Sequence, residues 1–277
     1  MRWVIGDIHG MLAPLDAILQ DVERQDVAAR FYFSGDYVNR GPDSRRVIDR
    51  LLALPAACVG GFVRGNHDDI FDLLLHGSCY VCHPNAIDPI MALRWFLEQG
   101  LDRTFLSYGI DHPAIDKLAS RPKRDKLEKA LHDHVPDTHR RFISNLRPVI
   151  EEDDLFVAHA MWDADEPTTS PNIKSRLFTD EYARRMILWG RFNAEDLTRP
   201  KAWGRPGYFG HTPVVNYAPT MRQSSNVPIV AKDVVLLDTG AALGAAGRLS
   251  AYCVEEKRFV QADRDGRIVP VGNLVPD

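Results

Sequence analysis

Cysteine is scarce in this chain, and long hydrophobic runs are missing. Four cysteines in 277 residues (Cys58, Cys79, Cys82, Cys253) cannot staple a chain of this size, which excludes a disulfide-built secreted fold. No apolar stretch approaches the roughly 18 residues a membrane helix needs, so no membrane partner is expected. The opening Met1-Arg2-Trp3-Val4-Ile5-Gly6 runs straight into a polar motif and leaves no room for a signal peptide, which predicts a cytoplasmic protein. There is no long basic run and the net charge is −4, so the overall field carries no nucleic-acid signal. Internal repeats and low-complexity tracts are also absent. Hydrophobic content of 45% beside 26% charged residues is that of an ordinary globular chain, long enough for one large α/β domain or two small ones.

Against this plain background stand five motifs in chain order. They are Gly-Asp-Ile-His-Gly at 6–10, Gly-Asp-Tyr-Val-Asn-Arg-Gly at 35–41, Gly-Asn-His-Asp at 65–68, an isolated His159, and Gly-His-Thr-Pro at 210–213. Each follows a short apolar run. Residues 2–6, 30–34 and 58–64 read as buried strands. The stretches 12–24 and 43–54 place apolar residues at helical spacing between them. That is β-α-β-α-β, the pattern of a parallel sheet with covering helices, in which functional loops gather at the carboxyl ends of the strands. A further helix is expected over 67–76. Residues 77–150, charged and broken by Pro and Gly, read as a mostly helical insert beside the active edge. Residues 155–158 are a strand ending at His159. A polar, Pro-containing stretch at 163–176 and a helix near 178–188 follow. Short strands are then expected near 207–210, 228–231, 233–237, 249–254 and 258–262, forming a second sheet that faces the first.

Together the motifs supply Asp7, His9, Asp36, Asn66, His159 and His211. Carboxylate oxygens and neutral imidazoles in such a set suit Mn²⁺, Fe and Zn²⁺ in mixed sites. Asp36 is placed to bridge two metals, Asp7 and His9 to complete one, and Asn66, His159 and His211 to complete the other. Two adjacent divalent ions acidify a water and neutralise charge on phosphate oxygens, so the chemistry implied is phosphate-ester hydrolysis. A single Gly-Asp or Gly-His pair is no more than a turn. Independent turns have no reason to supply matched ligands behind successive strands.

His67 directly follows the ligand Asn66. Adjacent residues do not easily reach one metal from a turn, so His67 is expected to face the substrate and protonate the leaving oxygen. Arg40 and Arg191 offer planar forks for phosphate oxygens.

These motifs resemble those of the PPP-type metallophosphatases, from residue 6 to about residue 241, where Asp238-Thr239-Gly240-Ala241 looks like the family's closing segment. The stretches Trp95-Phe96-Leu97…Gly100…Thr104…Ser107-Tyr108-Gly109 and Leu188-Trp189-Gly190-Arg191 are most similar to the bacterial and phage lambda-type branch. The resemblance implies one domain over 1–277: a central β-sandwich of two mixed sheets flanked by helices, with a mostly helical insert at about 77–150. It also implies a dinuclear centre, often active with Mn²⁺, direct attack on phosphorus without a phosphoenzyme, Arg40 as phosphate clamp and His67 as general acid. A serine/threonine protein phosphatase acting on phosphoproteins is the first expectation.

One departure bears on the substrate. The family's protein phosphatases usually carry Asp where this chain has Asn39, and that Asp stabilises the protonated catalytic histidine. Asn39 can hydrogen-bond His67 but brings no charge, so acid catalysis should weaken. Three explanations compete: an engineered change that slows turnover, a natural residue matched to leaving groups that need little protonation, or another acid elsewhere. The symmetrical diadenosine tetraphosphatases, a related branch, also lack that Asp and also read Gly-Asn-His-Asp. A nucleotide polyphosphate substrate is therefore the alternative, and a weakened phosphate-binding protein the second. Met161 is a smaller departure, standing where the family often has Gly.

Some signals lead elsewhere. Cys79-Tyr80-Val81-Cys82-His83 spells a haem attachment pattern, but it is expected to be two cysteines in a helical insert, with a Zn²⁺ site using His76 or His83 as the other reading. His132, His134 and His139 are expected to be solvated.

Overall fold

In a computed structural model, residues 1–217 and 226–270 are described. Two mixed sheets pack face to face, with helices on both outer sides. The first sheet has the order β11-β10-β9-β1-β2-β3, built from β1 (Arg2–Ile5), β2 (Arg30–Phe33), β3 (Val59–Phe62), β9 (Arg248–Cys253), β10 (Arg258–Asp263) and β11 (Ile268–Val269). The second has the order β4-β5-β6-β8-β7, built from β4 (Val149–Glu152), β5 (Leu155–Ala158), β6 (Gly207–Phe209), β7 (Ile229–Ala231) and β8 (Val234–Leu236).

The period-two alternation of a strand explains the layering. In β1, Trp3 and Ile5 join the core under the helices, while Val4 joins the core between the sheets. In β2, Phe31 and Phe33 turn outward and Tyr32 inward. In β5, Phe156 and Ala158 face the outer helices of the second sheet, and Leu155 and Val157 meet Val4 and Tyr32 in the middle. Strands buried on both faces read as continuous apolar runs, which is why these three were visible in the sequence.

Helices α1 (Leu12–Gln25) and α2 (Ser44–Leu52) make the crossovers of the parallel β1-β2-β3 unit, whose register runs Arg2 to Arg30 through Ile5 to Phe33. Each buries one stripe: Leu15, Ile18, Leu19 and Val22 in α1; Val47, Ile48 and Leu51 in α2. Helix α3 (Asn66–His76) leaves β3 and ends at Gly77, whose φ of 70° is the left-handed stop that glycine allows. The insert then folds as α4 (Pro89–Leu97), α5 (Leu101–Ser107), α6 (His112–Ser120), α7 (Arg124–His134) and α8 (Asp137–Ser144). Helices α9 (Ser170–Thr179), α10 (Glu181–Trp189) and α11 (Ala194–Thr198) cover the second sheet.

Two elements add detail to the sequence reading. Within the polar stretch 163–176, α9 begins at Ser170 with Pro171 in its first turn, where the missing N–H costs nothing. At the end of the insert lies edge strand β4, whose Val149-Ile150-Glu151-Glu152 lacks the apolar/polar alternation that marks a half-buried strand. Among the described residues, no helix is long and apolar enough to cross a membrane.

Candidate active site

The parallel strands β1, β2 and β3 all point their carboxyl ends one way, and β5, β6 and β8 are likewise mutually parallel. The residues just past these ends meet. Asp7 and His9 follow β1; Asp36, Asn39 and Arg40 follow β2; Asn66 and His67 open α3. His159 follows β5 and His211 follows β6. Asp7, His9, Asp36, Asn66, His159 and His211 are all buried.

Asp36 is at the centre. Its Oδ2 lies 3.4 Å from His9 Nε2 and its Oδ1 lies 3.5 Å from His159 Nε2, one oxygen toward each side. Ligand atoms of Asp7, Asp36 and His159 fall within 4.8 Å of one another, and so do those of His9, Asp36 and His67. Asn66 Oδ1 lies 2.9 Å from His159 Nε2 and 3.0 Å from His211 Nδ1, so Asn66, His159 and His211 converge on one point. Asp7 stands with Asp36 and His159, and its Oδ2 accepts the backbone N–H of His211 at 2.9 Å.

The loops that bring these groups together are strained. Among the described residues, seven non-glycine residues have positive φ, and five are in this site: His9 (46°), Asp36 (56°), Asn39 (70°), Arg40 (68°) and His211 (65°). Such conformations cost roughly 1–3 kcal/mol each and persist where the surroundings impose them. Here Asp68 imposes one: its carboxylate accepts the N–H groups of Asp36 (2.8 Å), Tyr37 (2.9 Å) and Gly65 (2.9 Å), tying the β2 loop to the start of α3. Close approach also demands glycine at two points. A Cβ at Gly65 would collide with Asp36, and one at Gly210 with the carboxylate of Asp7.

The donor set fits divalent cations, on two observations. First, His9 Nδ1 is 3.0 Å from the Val38 carbonyl and His159 Nδ1 is 2.9 Å from the Ser34 carbonyl. A carbonyl only accepts, so both rings carry their proton on Nδ1 and turn a bare Nε2 toward carboxylate and amide oxygens. Burial holds His159 down at about 4 and His9 well below its usual value, so neither gains a second proton near neutrality. Lone pairs facing oxygens are satisfied by a shared cation. Second, His211 Nε2 and Asp238 Oδ2 are buried without a hydrogen-bond partner. The carboxylates show the same lack of positive charge. Burial, then repulsion from Asp238 and Asp36, lifts Asp7 well above the carboxylate range, and burial lifts Asp36 to about 7. Asp7, His9, Asp36, Asn66, His159 and His211 would hold the ions, which would supply charge to phosphate oxygens and acidify a water.

The chain's own residues supply the rest. His67 Nδ1 is 3.0 Å from Asn39 Nδ2, and Asn39 Oδ1 accepts from Thr104 Oγ1 at 2.8 Å. Whichever end of the amide faces the ring, the partner is uncharged. Burial first, with the neighbouring His9 and the positive field of Arg40 acting the same way, holds His67 well below its usual value. Phe96 sits edge-on to the ring with centroids 5.0 Å apart. Arg40 Nη2 reaches to 3.4 Å from His67 Nε2, and Arg191 donates to Thr212 Oγ1 at 3.1 Å. Among the described residues neither guanidinium forms an ion pair, and both border the groove over the site, so both are free to take an anion.

Three contributors carried little sequence signal. Asp68 was visible only as the fourth letter of its motif, Asp238 only as part of a closing segment, and Thr104 only as part of an insert pattern. Elsewhere, His139 corrects the expectation of solvation: it is buried, with Nδ1 2.9 Å from Tyr108 Oη and Nε2 2.9 Å from Asp49. His132 and His134 are exposed. Cys79 and Cys82 lie in the irregular segment between α3 and α4, not in a helix, with free sulfurs 3.8 Å apart. Met161 packs against Gly190 in the core of the second sheet.

Comparison with known proteins follows this geometry. The sequence profile of the calcineurin-like phosphoesterases matches residues 2–190. A symmetrical bis(5'-nucleosyl)-tetraphosphatase of Bordetella pertussis is 46% identical over 67 residues, so this chain spans about a quarter of that relative (24% of each). The protein of the same name from Cellvibrio japonicus is 23% identical over 284 residues, covering 94% of this chain and 97% of that one. A solved structure described as a candidate diadenosine tetraphosphatase superposes with a TM-score of 0.53 at 21% identity, covering 94% of this chain and 92% of that one; this likeness speaks for the fold. The profile covers well over half of the chain, and the chain belongs to the calcineurin-like phosphoesterase family.

Proposed function

We propose that this protein hydrolyses a phosphoanhydride in a dinucleoside polyphosphate, releasing nucleoside diphosphates, with two divalent ions of which Mn²⁺ is the first choice. The observation that carries this reading is the neutral Asn39 amide against His67. A serine leaving group departs as an alkoxide, a base about as strong as hydroxide. It needs a strong general acid. A nucleoside diphosphate departs as a phosphate oxygen with a pKa of about 6. So weak a base leaves without the help of a charged imidazole. A neutral His67 still steadies the leaving oxygen by a hydrogen bond, and Arg40 and Arg191 neutralise the phosphate chain.

The names of the relatives in Bordetella and Cellvibrio point the same way and favour this reading over a serine/threonine protein phosphatase. The insert pattern shared with lambda-type phosphatases does not oppose it. Phe96, Gly100 and Thr104 contact His67, Arg40 and Asn39, so the pattern reports how the site is braced. The test is product analysis with Mn²⁺ and a mixture of diadenosine tetraphosphate and a phosphoserine peptide. ADP is expected as the main product. Dephosphorylated peptide without ADP would return the protein to the protein phosphatases.

A further inference from the structure

The open groove over the metal-ligand cluster, about 590 Å³, is large enough for a nucleotide, and its walls differ in chemistry along its length. Arg40 and Arg191 form a cationic part beside the neutral His211. Glu98 and Gln99 line the groove from the corner between α4 and α5, and Pro213 and Leu243 line it from the opposite half of the chain. Pro213 and Leu243 also belong to a smaller apolar recess of about 110 Å³ that includes Val215. Val215 is 47% exposed and Leu243 is 42% exposed, a high value for aliphatic side chains this close to a catalytic centre.

The corner that carries Glu98 is fixed to the phosphate-binding loop. Arg40 donates its backbone N–H to the Gly100 carbonyl at 3.1 Å, and a Cβ at Gly100 would collide with the Arg40 backbone. Glu98 and Gln99 therefore hold a set position relative to Arg40. Among the described residues, neither side chain has a hydrogen-bond or ion-pair partner, although other acids of the insert such as Asp88 and Asp111 cap helices. A carboxylate in a groove for phosphates is repulsive to phosphate. It suits a neutral group with hydroxyl donors, and a vicinal diol satisfies both of its oxygens.

We propose that this groove is a nucleoside subsite, in which Glu98, with Gln99, binds the ribose hydroxyls and the Pro213–Leu243–Val215 surface receives the base. The groove brings together cationic, hydroxyl-accepting and apolar walls, the three chemistries that a nucleoside diphosphate presents in its phosphates, ribose and base. This rests on the dinucleoside polyphosphate reading above and names the part of the substrate that confers selectivity. Glu98 and Leu243 then set which phosphoanhydride is accepted, while the metal-ligand cluster acts on any phosphoryl group presented to it.

The test uses ADP, 2′,3′-dideoxyadenosine diphosphate and inorganic pyrophosphate as inhibitors of p-nitrophenyl phosphate hydrolysis by the Mn²⁺-loaded protein. ADP should inhibit more tightly than pyrophosphate, and about tenfold more tightly than the dideoxy compound, the worth of one hydrogen bond to a charged group. In Glu98→Ala, ADP and the dideoxy compound should inhibit alike. In Leu243→Ser, the preference for ADP over pyrophosphate should fall while the dideoxy penalty remains. If ADP and pyrophosphate inhibit equally, or if Glu98→Ala keeps the dideoxy penalty, the subsite is wrong. Cleavage of diadenosine tetraphosphate is scored separately: selective ADP inhibition without that cleavage would sink the proposed function and leave the subsite standing.

Discussion

Asn39→Asp is the perturbation that most directly tests the leaving-group argument. The side chain is buried, with its amide nitrogen 3.0 Å from His67 Nδ1 and its oxygen accepting from Thr104, so a carboxylate of the same shape would replace it without moving the ring. Its attraction for an imidazolium about 4 Å away is ~4 kcal/mol at an effective dielectric of about 20, or up to about three pKa units on His67. Part of that is lost to desolvating a new charge among buried carboxylates. A well-supported general acid contributes roughly 10²–10⁴-fold when the leaving group needs its proton. The expected outcome is a selective gain. Turnover of phosphoserine peptide should rise at least about tenfold relative to diadenosine tetraphosphate, whose leaving group is already a weak base. The assay is initial-rate kinetics on both substrates with saturating Mn²⁺, repeated from pH 5 to 9. A gain shared equally by both substrates, or confined to diadenosine tetraphosphate, would refute the reasoning.

Other consequences follow from the same geometry. Metal binding should release protons at pH 6: Asp36, lifted to about 7, is about nine-tenths protonated there, and burial raises Asp7 in the same direction, whereas burial already keeps His9, His159 and His211 neutral. Because the raised carboxylates bind protons that the cation must displace, affinity should tighten as pH rises through 7; calorimetry in buffers of different ionisation enthalpy measures the protons, and none released would contradict it. Asp68→Ala leaves three buried N–H groups unpaired and should cost roughly 1–3 kcal/mol for each one that water cannot reach, with weaker metal binding, read by urea melts and a metal titration. Arg64→Met should destabilise by about 3–5 kcal/mol, since Arg64 is buried against Asp69 (3.0 Å) and Asp72 (2.7 Å); an unchanged melting midpoint would show those acids to be solvated.

The parallel half of the fold was legible because its signals are local and redundant. Strands β1, β2 and β3 are apolar on both faces, each ends at a Gly-containing motif, and helices α1 and α2 carry one clean apolar stripe each. The six ligand-type residues were legible for a related reason, since strand ends in a parallel sheet have only one place to meet. What the chain hid was pairwise. His139 sits in a charged helix, and nothing nearby in sequence says that Tyr108 and Asp49 bury it. Asp68 looks like one more acid at a helix start until its three backbone donors are seen to come from two separated loops.

The insert shows the same limit at the level of function. Its pattern of Trp95-Phe96, Gly100 and Thr104 suggested a protein phosphatase by likeness, yet Phe96, Gly100 and Thr104 each brace a residue of the site. Phe96 meets the His67 ring, Gly100 receives the Arg40 backbone, and Thr104 accepts the Asn39 N–H at 2.8 Å while donating to the Asn39 side chain. They hold the catalytic loops, and of the three only Gly100 is among the residues that line the groove. Glu98 and Gln99, on the same corner, line the groove, and among the described residues their side chains have no hydrogen-bond or ion-pair partner that would fix their identity. Residues that brace a site are constrained by the site, whatever it hydrolyses. Residues that read the substrate are constrained by the substrate alone, and for that reason leave the weaker mark in a sequence pattern. The substrate of this family member is therefore to be sought at Asn39, where the leaving group sets the acid it needs, and at the α4–α5 corner, where uncommitted polar groups wait beside the phosphate clamp.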